Sequence, residues 1–200
     1  MLPITIRLKG RKCVVVGGGR IAFRRAKLLL AEGADVRVVS PELLPELREL
    51  IEAAGAEWLP RTFREQDVLD AFLVVAATDG REVNGTVAKS CSAGQLVNIA
   101  DDPQNSSFHF PAIGRRGLLT VAVGTDGASP ILAKNIRDDI MAQFDESYET
   151  YFDFVKISRG KILSLPLGEA QKRRLLTEIV DKKYLDVDQQ KAFLEQLDKQ

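Results

Sequence analysis

The chain carries one histidine, His109, and only two cysteines, Cys13 and Cys91, among its 200 residues. Neither type is spaced as a set of metal ligands, so no resident metal is expected. Both thiols read as reduced, packed side chains, Cys13 in a strand and Cys91 in a helix. An excess of either charge is missing too: 28 Lys and Arg balance 28 Asp and Glu. That balance excludes the broad basic field of a nucleic-acid binder and confines any anion binding to local sites. Long apolar runs are also absent. Phe72 to Ala77 is far below the ~20 residues of a membrane span, and residues 1–12 lack the apolar segment of a secretory leader. A cytoplasmic protein with no membrane partner is expected. No internal repeat or low-complexity tract is visible. What is present is a 45% apolar composition, enough for a substantial core.

Over the first hundred residues, short runs rich in Val, Ile and Leu alternate with amphipathic stretches, the pattern of a βαβ chain with a parallel sheet. Strands are expected at Cys13 to Val16, Val36 to Ser40, Glu57 to Leu59, Phe72 to Ala77 and Leu96 to Ile99. Helices are expected between them, including Ile21 to Ala31 with Gly33 as its C-cap, and Pro45 to Ala54 before Gly55. Ile4 to Leu8 alternates apolar and polar and predicts an extra edge strand. Past Pro103 the pattern changes to two strands, Phe108 to Ile113 and Leu118 to Val123, joined through Gly114 to Gly117. A helix follows, with Ser129 as N-cap, Pro130 at its first position, and Leu132, Ile136, Ile140 and Phe144 at intervals of four. Further helices are expected from Glu146 to Leu165, from Glu169 to Val180, and after a cap at Asp186. The predicted class is therefore α/β. It comprises a Rossmann-like parallel-sheet domain over 1–113, a hairpin-plus-helix region over 114–145 and a small all-helical region over 146–200.

The segment CVVVGGGRIAFRRAKLLLAEGADVRVVSPE holds Gly17, Gly19 and Ala22 in the G-x-G-x-x-[GA] pattern, between a strand and a helix. In that context the loop from Gly17 through Gly18, Gly19, Arg20 and Ile21 to Ala22 predicts a dinucleotide site, with the pyrophosphate at the helix start. At the end of the second strand, Ser40, Pro41 and Glu42 occupy the ribose position. No arginine follows at once to hold a 2′-phosphate, which favours NAD over NADP. Thr78 closes the fourth strand on the ligand side and is a candidate to line the nicotinamide half. Just beyond the fifth strand stand Asp101 and Asp102. Two readings of Asp101 stay open on the residues alone, a working acid or a solvated turn before Pro103; Asp102 reads as a neighbour or turn residue. His109 reads as a packed strand residue between Phe108 and Phe110. Thr125 to Pro130 reads as a capped turn able to receive anionic groups, with Thr125, Ser129, Lys134 and Arg137 as candidate substrate contacts. Tyr148, Tyr151, Phe152 and Phe154 read as helix packing or subunit contact.

Together with VAATD, LVNIADDP, FPAI and DGASPILAKNIRD, the glycine segment resembles the precorrin-2 dehydrogenases, the amino-terminal module of siroheme synthase. The likeness runs in order over residues 1–145. It implies NAD-dependent oxidation of precorrin-2, a tetrapyrrole, to sirohydrochlorin in siroheme or cobalamin synthesis. In some members Fe2+ or Co2+ is then inserted as a second substrate. It also implies a homodimer formed through the 114–145 region, and a role for Asp101 in dehydrogenation and chelation. A different class remains open, a non-catalytic dinucleotide-sensing module.

Overall fold

Five short runs of mostly branched residues become one parallel sheet, β1 (Lys12–Val16), β2 (Asp35–Val39), β3 (Glu57–Leu59), β4 (Leu73–Ala76) and β5 (Leu96–Ile99), in the order β3-β2-β1-β4-β5. In β1 and β4 both faces are covered, so Cys13, Val14, Val15, Val16, Val74 and Ala76 are almost fully buried. This explains continuous apolar runs in place of alternation. The computed structural model describes residues 2–199. They form two compact units, one through His109 and one from Phe110; the sequence placed the change of architecture at residue 113.

Helix α1 (Arg20–Ala31) buries Ala22, Ala26 and Leu29, the small residues allowing a close approach. It ends where Gly33, at φ 72°, lets its amide and that of Ala34 return to the carbonyls of Leu30 and Leu29. Helix α2 (Pro45–Ala54) starts on its proline and stops at Gly55. Helix α3 (Arg81–Lys89) joins β4 to β5 and buries Asn84 and Val87. Cys91 was expected in a helix but lies just past the end of α3, its thiol 3.2 Å from the Val87 carbonyl. No strand forms over residues 4–8, where Ile4 and Ile6 are exposed. Alternation without pairing to a neighbouring strand is not enough to make one.

The free edge of β5 is covered by the chain that follows it. Val97 and Ile99 donate their amides to the hydroxyls of Ser107 and Ser106, at 2.7 and 2.8 Å, and the Asn98 side chain donates to the Phe108 carbonyl. The strand expected from Phe108 therefore does not begin until Ala112. His109 sits in this loop rather than in a strand, with its ring Nε2 2.9 Å from the Pro103 carbonyl.

In the second unit, β6 (Ala112–Arg116) and β7 (Leu119–Val123) pair antiparallel, with Arg116 opposite Leu119. The connection is thus Gly117-Leu118, with a left-handed φ only at Gly117, as a II′ hairpin turn requires. The expected link through Gly114 to Gly117 is corrected, because Gly114 lies within β6, where a Cβ would meet Met141 Cγ at 2.5 Å. Helix α4 (Pro130–Met141) covers this hairpin, and Phe144 falls beyond its end. The helices α5 (Ser147–Ser164), α6 (Glu169–Glu178) and α7 (Val187–Leu197) enclose Tyr151, Phe154, Ile162, Ile179, Tyr184 and Phe193. Phe154, Tyr184 and Phe193 contact one another at centroid separations of 4.8 to 5.8 Å, so the aromatic residues here are packing.

Candidate active site

The order 3-2-1-4-5 puts a topological switch between β1 and β4, and ligands of open α/β sheets bind outside the carboxyl ends of the strands at such a point. The glycine loop leaves β1 there. Gly17 donates its amide to Val39 at 2.9 Å, and at φ 125° its backbone lies against β4. A Cβ on it would lie 2.2 Å from the Ala77 carbonyl oxygen. Gly18 is equally confined: a Cβ would lie 1.9 Å from the Glu42 carbonyl oxygen, and its own carbonyl accepts from Leu44 at 2.9 Å.

Gly19, the N-cap of α1, differs: no heavy atom lies within 4 Å of the place a Cβ would occupy. No side chain caps this helix, and no acidic residue lies in its first turn. The orphan amides at Arg20, Ile21 and Ala22 thus have open space before them at the positive end of the helix dipole, a setting suited to phosphate oxygens. By contrast α4 closes its own N-terminus, with Ser129 Oγ accepting from Leu132 at 3.1 Å.

Beside this loop, the turn after β2 is rigid. Ser40 is buried, its hydroxyl donates to the Glu42 carbonyl at 2.7 Å, and its carbonyl accepts from Trp58 Nε1 at 2.9 Å. The Ser40 oxygen keeps lone pairs for a ribose hydroxyl, and Pro41 and Glu42 are exposed next to it.

Asp101 lies two residues beyond β5 and is exposed, but one of its oxygens is held. Oδ1 accepts from Asn84 Nδ2 at 2.9 Å. Asn84 is fully buried, and its other bonds all go to Thr78 at the end of β4: Oδ1 accepts from the Thr78 amide and hydroxyl, and Nδ2 donates to the Thr78 carbonyl. Contacts thus run without a break from Gly17 through Ala77 and Thr78 to Asn84 and Asp101. Sequence reasoning missed Asn84, a polar residue in an ordinary amphipathic helix. The only signal was its place six residues after Thr78.

The adjacent Asp102 has another role. It caps a short 3-10 turn, accepting from the Asn105 amide and side chain at 3.3 and 2.7 Å. Those hydrogen bonds hold its carboxyl below the usual range. Asp102 is the turn residue expected of it.

Thr125, Ser129, Lys134 and Arg137 belong to the second unit. Thr125 Oγ1 and Ser129 bond each other's groups around the α4 cap. Arg137 is paired with Asp138 and also donates to the Ile113 carbonyl at 3.2 Å, whereas Lys134 is exposed. Among the described residues no three His, Cys, Asp or Glu side chains gather as a metal site, and no helix is long and apolar enough to cross a membrane.

A five-stranded doubly wound sheet with an uncapped glycine turn at its switch point defines a Rossmann-like dinucleotide-binding protein. Comparison with known proteins agrees: an NAD(P)-binding family model matches residues 4–112, and a model of the SirC C-terminal domain matches residues 148–193. The chain is 41% identical to a precorrin-2 dehydrogenase of Priestia megaterium, over all of this chain and 99% of the relative. It is 40% identical to a precorrin-2 dehydrogenase of Bacillus subtilis, over 74% of this chain and 91% of the relative. A solved structure, "SirC, precorrin-2 dehydrogenase", superposes over the whole of both chains with a TM-score of 0.87 at 40% identity. The chain belongs to the precorrin-2 dehydrogenase family.

Proposed function

We propose that the protein oxidises precorrin-2 to sirohydrochlorin with NAD, acting as a homodimer in siroheme or cobalamin synthesis. The observation that carries this reading is the continuous line of contacts from the open glycine turn to Asp101. It sets an anion-receiving helix end and a half-free carboxylate on one edge of the sheet. Bound at that turn, NAD would supply the hydride acceptor. The amides of Arg20, Ile21 and Ala22 would hold its phosphates, the turn at Ser40 and Glu42 would meet the ribose, and Thr78 would border the nicotinamide end. Oxidation also releases a proton from the substrate. Asp101 Oδ2, which has no partner among the described residues, is the acceptor for it.

The same carboxylate suits a second reaction, removal of pyrrole protons as Fe2+ or Co2+, here a substrate, enters sirohydrochlorin. Exposed Ile131, Leu132 and Ile136 on α4 support the dimer. Lys134 is a candidate partner for substrate carboxylates.

The test is anaerobic turnover of precorrin-2 with NAD, followed by NADH and sirohydrochlorin absorbance. Asp101→Ala should lower kcat by roughly 100- to 10,000-fold while the NAD Kd changes less than about twofold. Binding of NAD without any oxidation by the wild type would instead favour a sensing module. Loss of metal ion from solution on adding sirohydrochlorin without NAD would establish the insertion step.

A further inference from the structure

We infer that Asn84 is the positioning residue for Asp101, a single buried amide that fixes the proton-accepting carboxylate relative to the end of β4; this rests on the role proposed for Asp101. Asn84 is 0% exposed, a place where an apolar side chain would fill the same space without desolvating an amide. Every one of its hydrogen-bonding directions is used nonetheless. The Thr78 amide, 3.0 Å away, can only donate, so the atom facing it is Oδ1; the Thr78 carbonyl and the Asp101 carboxylate can only accept, so Nδ2 faces both. The amide therefore has one orientation, set by the Thr78 backbone just past β4.

Fastening α3 to β4 needs only the three bonds to Thr78. The fourth leaves α3 for the segment after β5 and holds Asp101 Oδ1, so the carboxylate is restrained about its own bond and Oδ2 is left as the free oxygen. Asp101 has no other hydrogen-bond partner among the described residues. Asn84 thereby links the turn after β4, at Thr78, to the turn after β5 that carries the acid. It touches neither substrate nor cofactor, and acts through Asp101.

The wild-type chain gives the first test. The Asn84 side-chain amide is followed by NMR from about pH 3 to pH 8, across the ordinary carboxylate range, in wild type and in Asp101→Asn. The charged neighbours along the chain, Asp79, Arg81 and Asp102, are the same in both proteins. An Asn84 signal that titrates in wild type and not in Asp101→Asn is expected. A flat signal, or one that titrates equally in both, overturns the inference. This measurement needs no substitution at Asn84 to fold.

The second test is kinetic. Asn84→Asp keeps the size and the acceptor but removes both donors. Its kcat is expected to fall at least tenfold with the NAD Kd and the precorrin-2 KM little changed, and it should have under a twofold effect in an Asp101→Ala background. Wild-type turnover in Asn84→Asp, with Asp101→Ala impaired, overturns the positioning role and leaves the proposed function standing. Wild type that does not oxidise precorrin-2 overturns the functional reading instead, and the NMR titration then decides the clamp alone.

Discussion

Alanine at each of the three loop glycines should separate backbone packing from ligand contact. At Gly17 the new methyl would sit 2.2 Å from the Ala77 oxygen and 3.1 Å from the Thr78 nitrogen. An ordinary carbon contact is about 3.5 Å or more. The left-handed φ of 125° adds strain that a Cβ makes worse. Overpacking of about 1–3 kcal/mol and backbone strain of about 1–3 kcal/mol together give a loss on the order of 4 kcal/mol. Gly18→Ala meets the Glu42 carbonyl at 1.9 Å without the unusual φ, and should lose about 1–3 kcal/mol. Gly19→Ala meets nothing within 4 Å, at φ −89°. A poorer N-cap and a less flexible unfolded chain nearly offset each other, leaving stability within about 0.5 kcal/mol of wild type.

That same methyl would enter the open space proposed above for phosphate. Losing one charge-assisted hydrogen bond, worth about 1.5–3 kcal/mol, should raise the NAD Kd by roughly 10- to 100-fold. Thermal unfolding and NAD titration on the three purified variants read both effects. The reasoning is refuted if Gly19→Ala unfolds as early as Gly17→Ala, or if it is stable and binds NAD as wild type does.

Three other outcomes follow from local geometry. Asp67, only 4% exposed, accepts two bonds from Arg61 and one from the Arg64 amide, and Arg61 holds its carboxyl below the usual range. Asp67→Asn should therefore cost about 2 kcal/mol near neutral pH. Because the folded value is the lower one, this stability is present above about pH 4 and lost as pH falls through the folded value, so wild type and variant should converge in acid unfolding curves; a constant gap down to the acid limb would contradict the pairing. Ser129→Ala removes the α4 cap and should cost about 1 kcal/mol in chemical denaturation, whereas no change would remove the cap as a source of stability. Cys13 is fully buried, and burial, with a contribution from Asp35, pushes its thiol up to about 11. It should resist iodoacetamide at pH 8 in the folded chain and react once unfolded; labelling of the native protein at Cys13 would show that β1 opens readily.

Features set by neighbouring residues were legible in the sequence. Strands β1, β3 and β5 follow from runs of branched and apolar residues, the α1 and α2 ends from Gly33 and Gly55, and the α4 start from Ser129 and Pro130. The features that escaped depend on partners distant in the chain. Residues 4–8 alternate like a strand, yet they pair with no strand of the sheet. Phe108 to Pro111 looks extended, yet serine and asparagine side chains tie the chain before it to β5. Gly114 sits in a strand because Met141 requires a residue without a Cβ, which only the packing of α4 reveals. Asn84 is the sharpest case. Nothing in its own helix marks it, since its value comes from two strand ends, Thr78 and Asp101, that meet only when β4 and β5 pair in register.

The hydroxyls of Ser106 and Ser107 have a consequence for how the chain folds. Until they dock, β5 exposes a row of unpaired amides and carbonyls, the surface on which two copies can pair wrongly and aggregate. The cover is encoded only seven to ten residues downstream of the groups it satisfies. Closing a loop of that length takes on the order of 10–100 ns, well before chains meet at ordinary concentrations, so the edge strand is sealed by its own continuation almost as soon as it forms.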